Sequence, residues 1–363
     1  MQVIKFYEDL HNLAELGFCE FKTSAYLKEK LSKAGFYIQE VGQTGFYAQL
    51  TNSDYVVALR ADMDALGHNI DDKICAIHSC GHDAHSAMLL NAALIAKQNN
   101  LIKNKSFRFL FQPAEELGKG ALFMIENKAL DDVNEIYGMH IRPKQECQSN
   151  QAIASMYFAA SCAIKFDITG LSAHAARPHL GINAIDSACA LINAARMIYV
   201  DTSIASSIKV TRFVANNAVT NSINDKASIV FDLRAQDNKT MQELKEKLLQ
   251  AAKVITFNNS TYEYEILNDI VAAQINSLCA KECYKACVNI LGEENVFKEK
   301  NILGGEDFFF YPVKKGIKAG FMGLGVDCTP GLHHPNMSIN KNALNNGVNI
   351  WLELIKNIDL RKD

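Results

Sequence analysis

Residues 55–64 read Tyr55-Val56-Val57-Ala58-Leu59-Arg60-Ala61-Asp62-Met63-Asp64. An apolar run that gives way to a basic residue and two carboxylates is the pattern of a buried strand whose carboxyl end meets a polar rim. In open α/β sheets ligands bind beyond the carboxyl ends of the strands. This one stretch therefore predicts both the fold class and the edge on which chemistry should be found.

The layout recurs along the chain. After His78-Ser79-Cys80-Gly81-His82-Asp83-Ala84-His85 comes an alanine- and leucine-rich helix, SAMLLNAALIAKQ, and then a strand, FRFLFQ, that stops at Pro113-Ala114-Glu115-Glu116. Another helix begins near Gly120, and the strand EIYGMHI ends close to His140. Ahead of these, Gly45 to Leu50 reads as a strand. Two helices open the chain, on Phe6, Leu10, Leu13 and Leu16 and on Tyr26, Leu27, Leu31 and Ala34, the second closing at Gly35. Such alternation predicts a parallel or mixed sheet with helices on both faces.

Residues 161–268 follow a different order: strand (CAIKFDITG), helix (183–199), strand (SIKVTRFVA), strand (ASIVFDLRA), helix (240–255), strand (TYEYEIL). That β-α-β-β-α-β order is ferredoxin-like and self-contained. The expected organisation is thus a first domain in two parts, 1–160 and 269–363, with 161–268 inserted between them. The second part carries a helix at 273–291, the stretch Gly304-Gly305-Glu306-Asp307-Phe308, a strand GFMGLG, the turn Leu332-His333-His334-Pro335 and a last helix.

Composition narrows the function. The 363 residues have a formal charge of -3, with 48% hydrophobic and 21% charged residues, which offers neither a nucleic-acid footprint nor a polybasic membrane surface. No apolar run approaches the roughly 18 residues of a membrane span. Ten cysteines are scattered through the chain, and the opening MQVIKFYEDLHNLAELGF lacks a basic segment followed by an apolar one. The expectation is a soluble protein of the reducing cytoplasm with free thiols. Cys279, Cys283 and Cys287, at helical spacing, read as core residues rather than as a metal site.

Within 78–85, Gly81 allows Cys80 and His82 to turn toward one point, and Cys and His hold transition metals firmly. Candidate partners lie at the other strand ends and loops: Glu116, His140 and His333. These five exceed the four ligands of one tetrahedral ion, which points to two ions about 3.5–4 Å apart sharing a water. Thiolate softness favours Zn²⁺, with Mn²⁺ or Co²⁺ as alternatives. Glu115 and Glu116 are adjacent, so one can bind metal while the other, free beside an activated water, acts as general acid/base. A Glu pair alone would read as solvated surface; the apolar strand and Gln112-Pro113 before it argue otherwise.

Asp64 reads as the acceptor that orients a ligand imidazole. His85 is left off the metal, and spacing alone does not choose between His333 and His334. In the inserted unit, His174 could donate to the oxyanion of a tetrahedral intermediate. Asn221, Arg234 and Gly305 are the candidate substrate contacts, with the Arg234 guanidinium suited to a carboxylate.

With these residues assembled, the chain resembles the dinuclear metallo-aminoacylase and amidohydrolase peptidase family of hippurate hydrolases, N-acyl-amino-acid amidohydrolases and auxin-conjugate hydrolases. The matching stretches are LHNLAELGFCEFKTSAYLKEKL, ALRADMDAL, HSCGHDAHSAMLL, FQPAEELGKGA, GMHIRP, GLSAHAARPHLGINAI, GGEDFFFY and LHHPNMSIN, in the family's order. The resemblance implies a zinc-peptidase-type α/β catalytic domain with a ferredoxin-like lid or dimerisation insert, a homodimer, two divalent ions, and hydrolysis of an N-acyl amino acid or short peptide. It implies Cys80, His82, Glu116, His140 and His333 as metal ligands, which selects His333 over His334 and Glu116 over Glu115. It also implies Glu115 as acid/base, and His174 as a residue that often serves the neighbouring subunit. Gly67 stands where the family has Pro, and the segment from Gly67 to Ser79 is shorter than is common, so substrate choice is open. Two other readings of the same residues are a thiol amidase with Cys80 as nucleophile and a metal-stabilised binding protein; the second gives no use to a spare carboxylate at Glu115.

Overall fold

The computed structural model describes residues 2–362 apart from Asn52 and Ala218. These fall into two compact units, one of Met1–Tyr157, Gln274–Lys300 and Asp307–Asp363, the other of Phe158–Ala273 with Asn301–Glu306.

In the first unit an eight-stranded mixed sheet runs in the order Tyr37–Val41, Gly45–Leu50, Ser106–Gln112, Val56–Asp62, Val133–Pro143, Lys318–Cys328, Ala152–Ile153, Val296–Phe297. The four central strands are mutually parallel, and every residue of Val56–Asp62 and Ser106–Gln112 is buried. That is why they read as apolar runs without alternation. Parallel pairing sets their carboxyl ends on one rim, Asp62 opposite Gln112 and His140 opposite Gly323.

Side chains alternate between the two faces of the sheet. Val57, Leu59, Ala61, Met322 and Leu324 share a core with the helices Gln2–His11, Phe21–Lys33, His82–Gln98, Ser277–Leu291 and Leu344–Leu360. His82–Gln98 is buried almost all round, as expected of a helix covered on every side. A Cβ on Gly347 would lie 2.1 Å from Met88 Sδ, so the last helix approaches this one closely. On the other face Phe308 and Phe309 pack against Phe321, and Arg60 lies over the Phe308 ring.

The second unit is a four-stranded antiparallel sheet ordered Ser206–Val214, Lys226–Ala235, Ala160–Thr169, Thr261–Ile270. The helices Ala184–Ala195 and Asn238–Ala251 share its core of Ile164, Phe166, Phe231, Leu191 and Leu244. Asn183 and Asp237 cap these helices by accepting from Ile185 N and Thr240 N. Order and connectivity are ferredoxin-like.

Local boundaries differ from expectation. The first helix ends at His11, leaving Leu13 and Leu16 in the loop that follows. The second ends at Lys33 with Gly35 at φ +78°, the left-handed residue that commonly closes a helix. Residues 66–77 form an unanticipated hairpin, Leu66–Ile70 with Lys73–Ile77. Asn301–Glu306, with Gly305, groups with the second unit, not with the flanking segment in which the sequence reading put it.

Candidate active site

Three strand ends and two loops of the first unit build the site. Gly81 has φ +92°, and a Cβ there would meet Ile141 Cδ1 at 2.2 Å. Both conformation and space require glycine, and this is what turns Cys80 and His82 inward at the start of their helix. Cys80 Sγ lies 3.4 Å from His140 Nε2. Cys80, His82 and His140 form one group with ligand atoms within 4.8 Å of one another; Cys80, Glu116 and His333 form a second, and His82, Glu115 and Glu116 a third.

Hydrogen bonds aim these atoms. His82 Nδ1 is 3.0 Å from Asp64 Oδ1, and the other Asp64 oxygen accepts from Glu116 N at 3.0 Å. One carboxylate thereby orients the imidazole and holds the Glu116 backbone. His140 Nδ1 donates to the Ile141 carbonyl at 2.5 Å, which leaves Nε2 as the lone-pair nitrogen. His82 Nε2 and Glu116 Oε1 are buried without hydrogen-bond partners. His82 Nε2 lies 3.8 Å from both Glu115 Oε2 and Glu116 Oε1, and His333 Nε2 lies 3.6 Å from Glu116 Oε1. Buried polar atoms without partners call for an explanation, and acceptors converging from thiol, imidazole and carboxylate fit divalent cations.

The neighbouring histidines are otherwise engaged. His85 Nδ1 lies 2.7 Å from Asp62 Oδ1, and its Nε2 accepts from Ile141 N at 2.9 Å, so neither nitrogen is available to an ion. His334 Nδ1 accepts from Asn336 N at 3.1 Å; the residue that reaches Glu116 is His333.

Burial, and next the Glu116 carboxylate, push the Cys80 thiol far above its ordinary range. That is the reverse of what a free nucleophile needs. Burial and then His85 and Arg142 hold His140 well below its ordinary value, in the neutral form that can bind a metal. Burial by itself raises Asp62, but His82, Arg60 and His85 together hold it well below the usual carboxylate range.

The remaining predicted residues belong to the second unit. His174 bridges Ser222, its Nδ1 accepts from Ala176 N, and Ala175 N donates to the Asn221 carbonyl. His174 and Asn221 are thus brought together, with His174 Nε2 left as the donor. Arg234 pairs in bidentate fashion with Asp232, at 2.9 Å for both bonds, so its fork is already engaged. Arg234 stands opposite Ser161, and a Cβ on Gly305 would lie 3.6 Å from Ser161 Cβ. Arg234 and Gly305 thus lie beside the Ser161 end of the strand Ala160–Thr169, whereas His174 lies in the segment that follows its Thr169 end.

The family profile described as Peptidase family M20/M25/M40 matches residues 58–357. The chain belongs to this family. As a member it is a hydrolase acting on amides. An N-acetyl-L-cysteine deacetylase of Bacillus subtilis (strain 168) is 29% identical over 365 residues, covering 94% of this chain and 85% of that one. A hippurate hydrolase of Campylobacter jejuni is 31% identical over 330 residues, covering 86% of this chain and 85% of its own. A Bacillus subtilis structure described as a dinuclear metal binding peptidase from M20 family aligns with TM-score 0.81 and 25% identity, over 98% of this chain and 97% of the other.

In this M20-family chain the sequence reading passed over the charges beneath the metal groups. Arg60 donates to Asp62 at 2.6 Å and to Gln112 and Asp307 at 2.9 Å, all buried. Asp307 also accepts from Gln112 Nε2 and Ala121 N, while its own amide donates to Glu115 Oε1 at 3.4 Å. The available signal was a charged pair inside an apolar strand; its partner, 247 positions on, was not readable from spacing.

Proposed function

We propose that this chain hydrolyses the amide bond of N-acyl amino acids or short peptides, using two divalent cations held by Cys80, His82, Glu116, His140 and His333. The observation that carries the proposal is the pair of buried, unpartnered atoms His82 Nε2 and Glu116 Oε1, converging on the same space as Cys80, Glu115 and His333. Cys80, His82 and Glu116 are each common to two of the three groups, so these three tie the ligand set together. When bound, divalent cations there supply Lewis acidity and lower the pKa of water toward neutrality. Thiolate in the ligand set favours Zn²⁺, with Mn²⁺ or Co²⁺ as alternatives.

Glu115 is the acid/base: its carboxylate takes the proton of the attacking water and returns it to the leaving amine. The Asp307 amide on Glu115 Oε1 holds that side chain in register. Asp64 keeps the His82 ring oriented and the Glu116 backbone in place. His174 Nε2–H stabilises the oxyanion. Arg234 is already paired with Asp232, and in this reading a homodimer lets His174 complete the neighbour's site. In this reading the ferredoxin-like unit serves as lid and dimerisation domain. All ten cysteines are free, in keeping with a cytoplasmic protein, and among the described residues no helix is long and apolar enough to cross a membrane.

Chelation followed by Zn²⁺, Mn²⁺ or Co²⁺ add-back, assayed on N-acetyl, N-benzoyl and dipeptide libraries, tests the proposal. Alkylation of Cys80 that inactivates metal-free and metal-loaded protein equally would instead favour the thiol amidase.

A further inference from the structure

The loop that carries Glu115 and Glu116 is entered through a rare backbone conformation. Ala114 has φ +53° and Phe18 φ +62°, both in the left-handed region that residues with a Cβ seldom occupy. The amides of both donate to one atom, Oε1 of Glu20, at 2.8 Å from Ala114 and 3.0 Å from Phe18. Glu20 is fully buried, and its Oε2 has no hydrogen-bond partner. It stands at the N-cap of helix Phe21–Lys33, yet its side chain makes no capping bond there. An Asp at such a position commonly caps its own helix; this Glu reaches 94 positions along the chain instead.

Other features converge on Ala114. A Cβ on Gly17 would lie 3.1 Å from Ala114 Cα, so glycine there leaves room for the turn. The Ala114 carbonyl accepts from Gly120 N at 3.1 Å, and Gly118 N closes onto the Glu115 carbonyl at 2.7 Å. In a continuing strand two successive side chains would point to opposite faces. Here both Glu115 and Glu116 bring a carboxylate oxygen to 3.8 Å from His82 Nε2. The left-handed turn at Ala114 takes the chain out of the pleat immediately before them, and such conformations persist when their surroundings over-determine them.

We propose that Glu20 is a positioning residue for hydrolysis: its buried carboxylate pins Ala114 in the left-handed conformation that presents Glu115 and Glu116 together. The inference rests on the reading of Glu115 as acid/base and Glu116 as metal ligand. Glu20→Gln is a close mimic in shape whose amide oxygen still accepts both bonds.

The test compares Glu20→Leu, Glu20→Gln, the double variant Glu20→Leu/Ala114→Gly and, as a control, Glu115→Gln, each for kcat, KM and metal affinity by chelator competition. Glu20→Leu should lose about 10²-fold in kcat, the scale of a misplaced reacting group. Its KM should stay within about threefold and its metal affinity fall roughly tenfold. Glu20→Gln should match the parent. Glycine at 114 adopts positive φ without a Cβ penalty, so the double variant should recover most of both losses. Parent-like kcat and metal affinity in Glu20→Leu would overturn the inference, as would equal impairment of the single and double variants. Should Glu20→Leu not fold, Ala114→Val is read in its place: it leaves Glu20 whole but disfavours positive φ, and parent-like kcat there overturns the inference too. Full activity in Glu115→Gln would overturn the reading of Glu115 and not the tether of Glu20 to Ala114.

Discussion

At the scale of single residues, two side chains test the proposed division of labour. Glu115→Gln keeps the shape of the loop but cannot carry a proton, so turnover should fall about 10²–10⁴-fold while elemental analysis finds metal content unchanged; loss of metal along with activity would make Glu115 a ligand instead. Asp64→Ala removes the acceptor of His82 Nδ1 and of Glu116 N, so metal affinity should fall about 10–100-fold. Unaltered affinity in a chelator titration would show that the ring is oriented by something else. Residues such as these were legible because Cys, His and acidic side chains at the ends of apolar strands have few other uses. Arg60, Asp307 and Glu20 were not, because what gives each its role is a partner far along the chain.

Among the elements, the helix His82–Gln98 matters most, since it begins at the candidate ligand His82 and its body fills the core. Gly81→Ala would place a Cβ against Ile141 at a residue of φ +92°, and should destabilise the protein by about 1–3 kcal/mol in denaturant unfolding. A parent-like midpoint would mean the turn can relax. The first helix docks here through His11, whose Nδ1 lies 2.6 Å from Asp83 Oδ2. That hydrogen bond raises His11 above its ordinary value of 6.5. A raised folded-state pKa contributes stability that is complete below the unfolded value and lost as pH rises through the folded one. The stability difference between the parent and His11→Gln should therefore be largest near pH 5.5 and shrink toward pH 9. It should stay below about 1 kcal/mol because His11 is partly exposed; a gap that widens with pH would contradict the assignment. Buried strands were readable from apolar runs, and the helices from apolar spacing. The hairpin at 66–77 was not, because LGHNIDDKICAI mixes polar and apolar residues without a clean period of two.

At the scale of the whole molecule, each unit is built on one large sheet. The mixed sheet and the ferredoxin-like sheet were both legible from element order, whereas the return of Asn301–Glu306 to the second unit was not, since nothing in that short segment encodes its tertiary neighbours. If His174 acts across a dimer, mixing Glu115→Gln chains with His174→Ala chains should restore activity, because one site of each mixed dimer then has both residues intact. No recovery above the separate variants would place His174 in its own chain's site. The central claim is that Cys80, His82, Glu116, His140 and His333 hold the ions on which amide cleavage depends. It is tested most directly by stripping the protein with chelator and returning Zn²⁺ in steps, with bound metal and hydrolysis of an N-acyl amino acid measured on the same samples. Activity should vanish on removal and return as occupancy approaches two ions per chain; undiminished turnover in the metal-free protein would contradict the account.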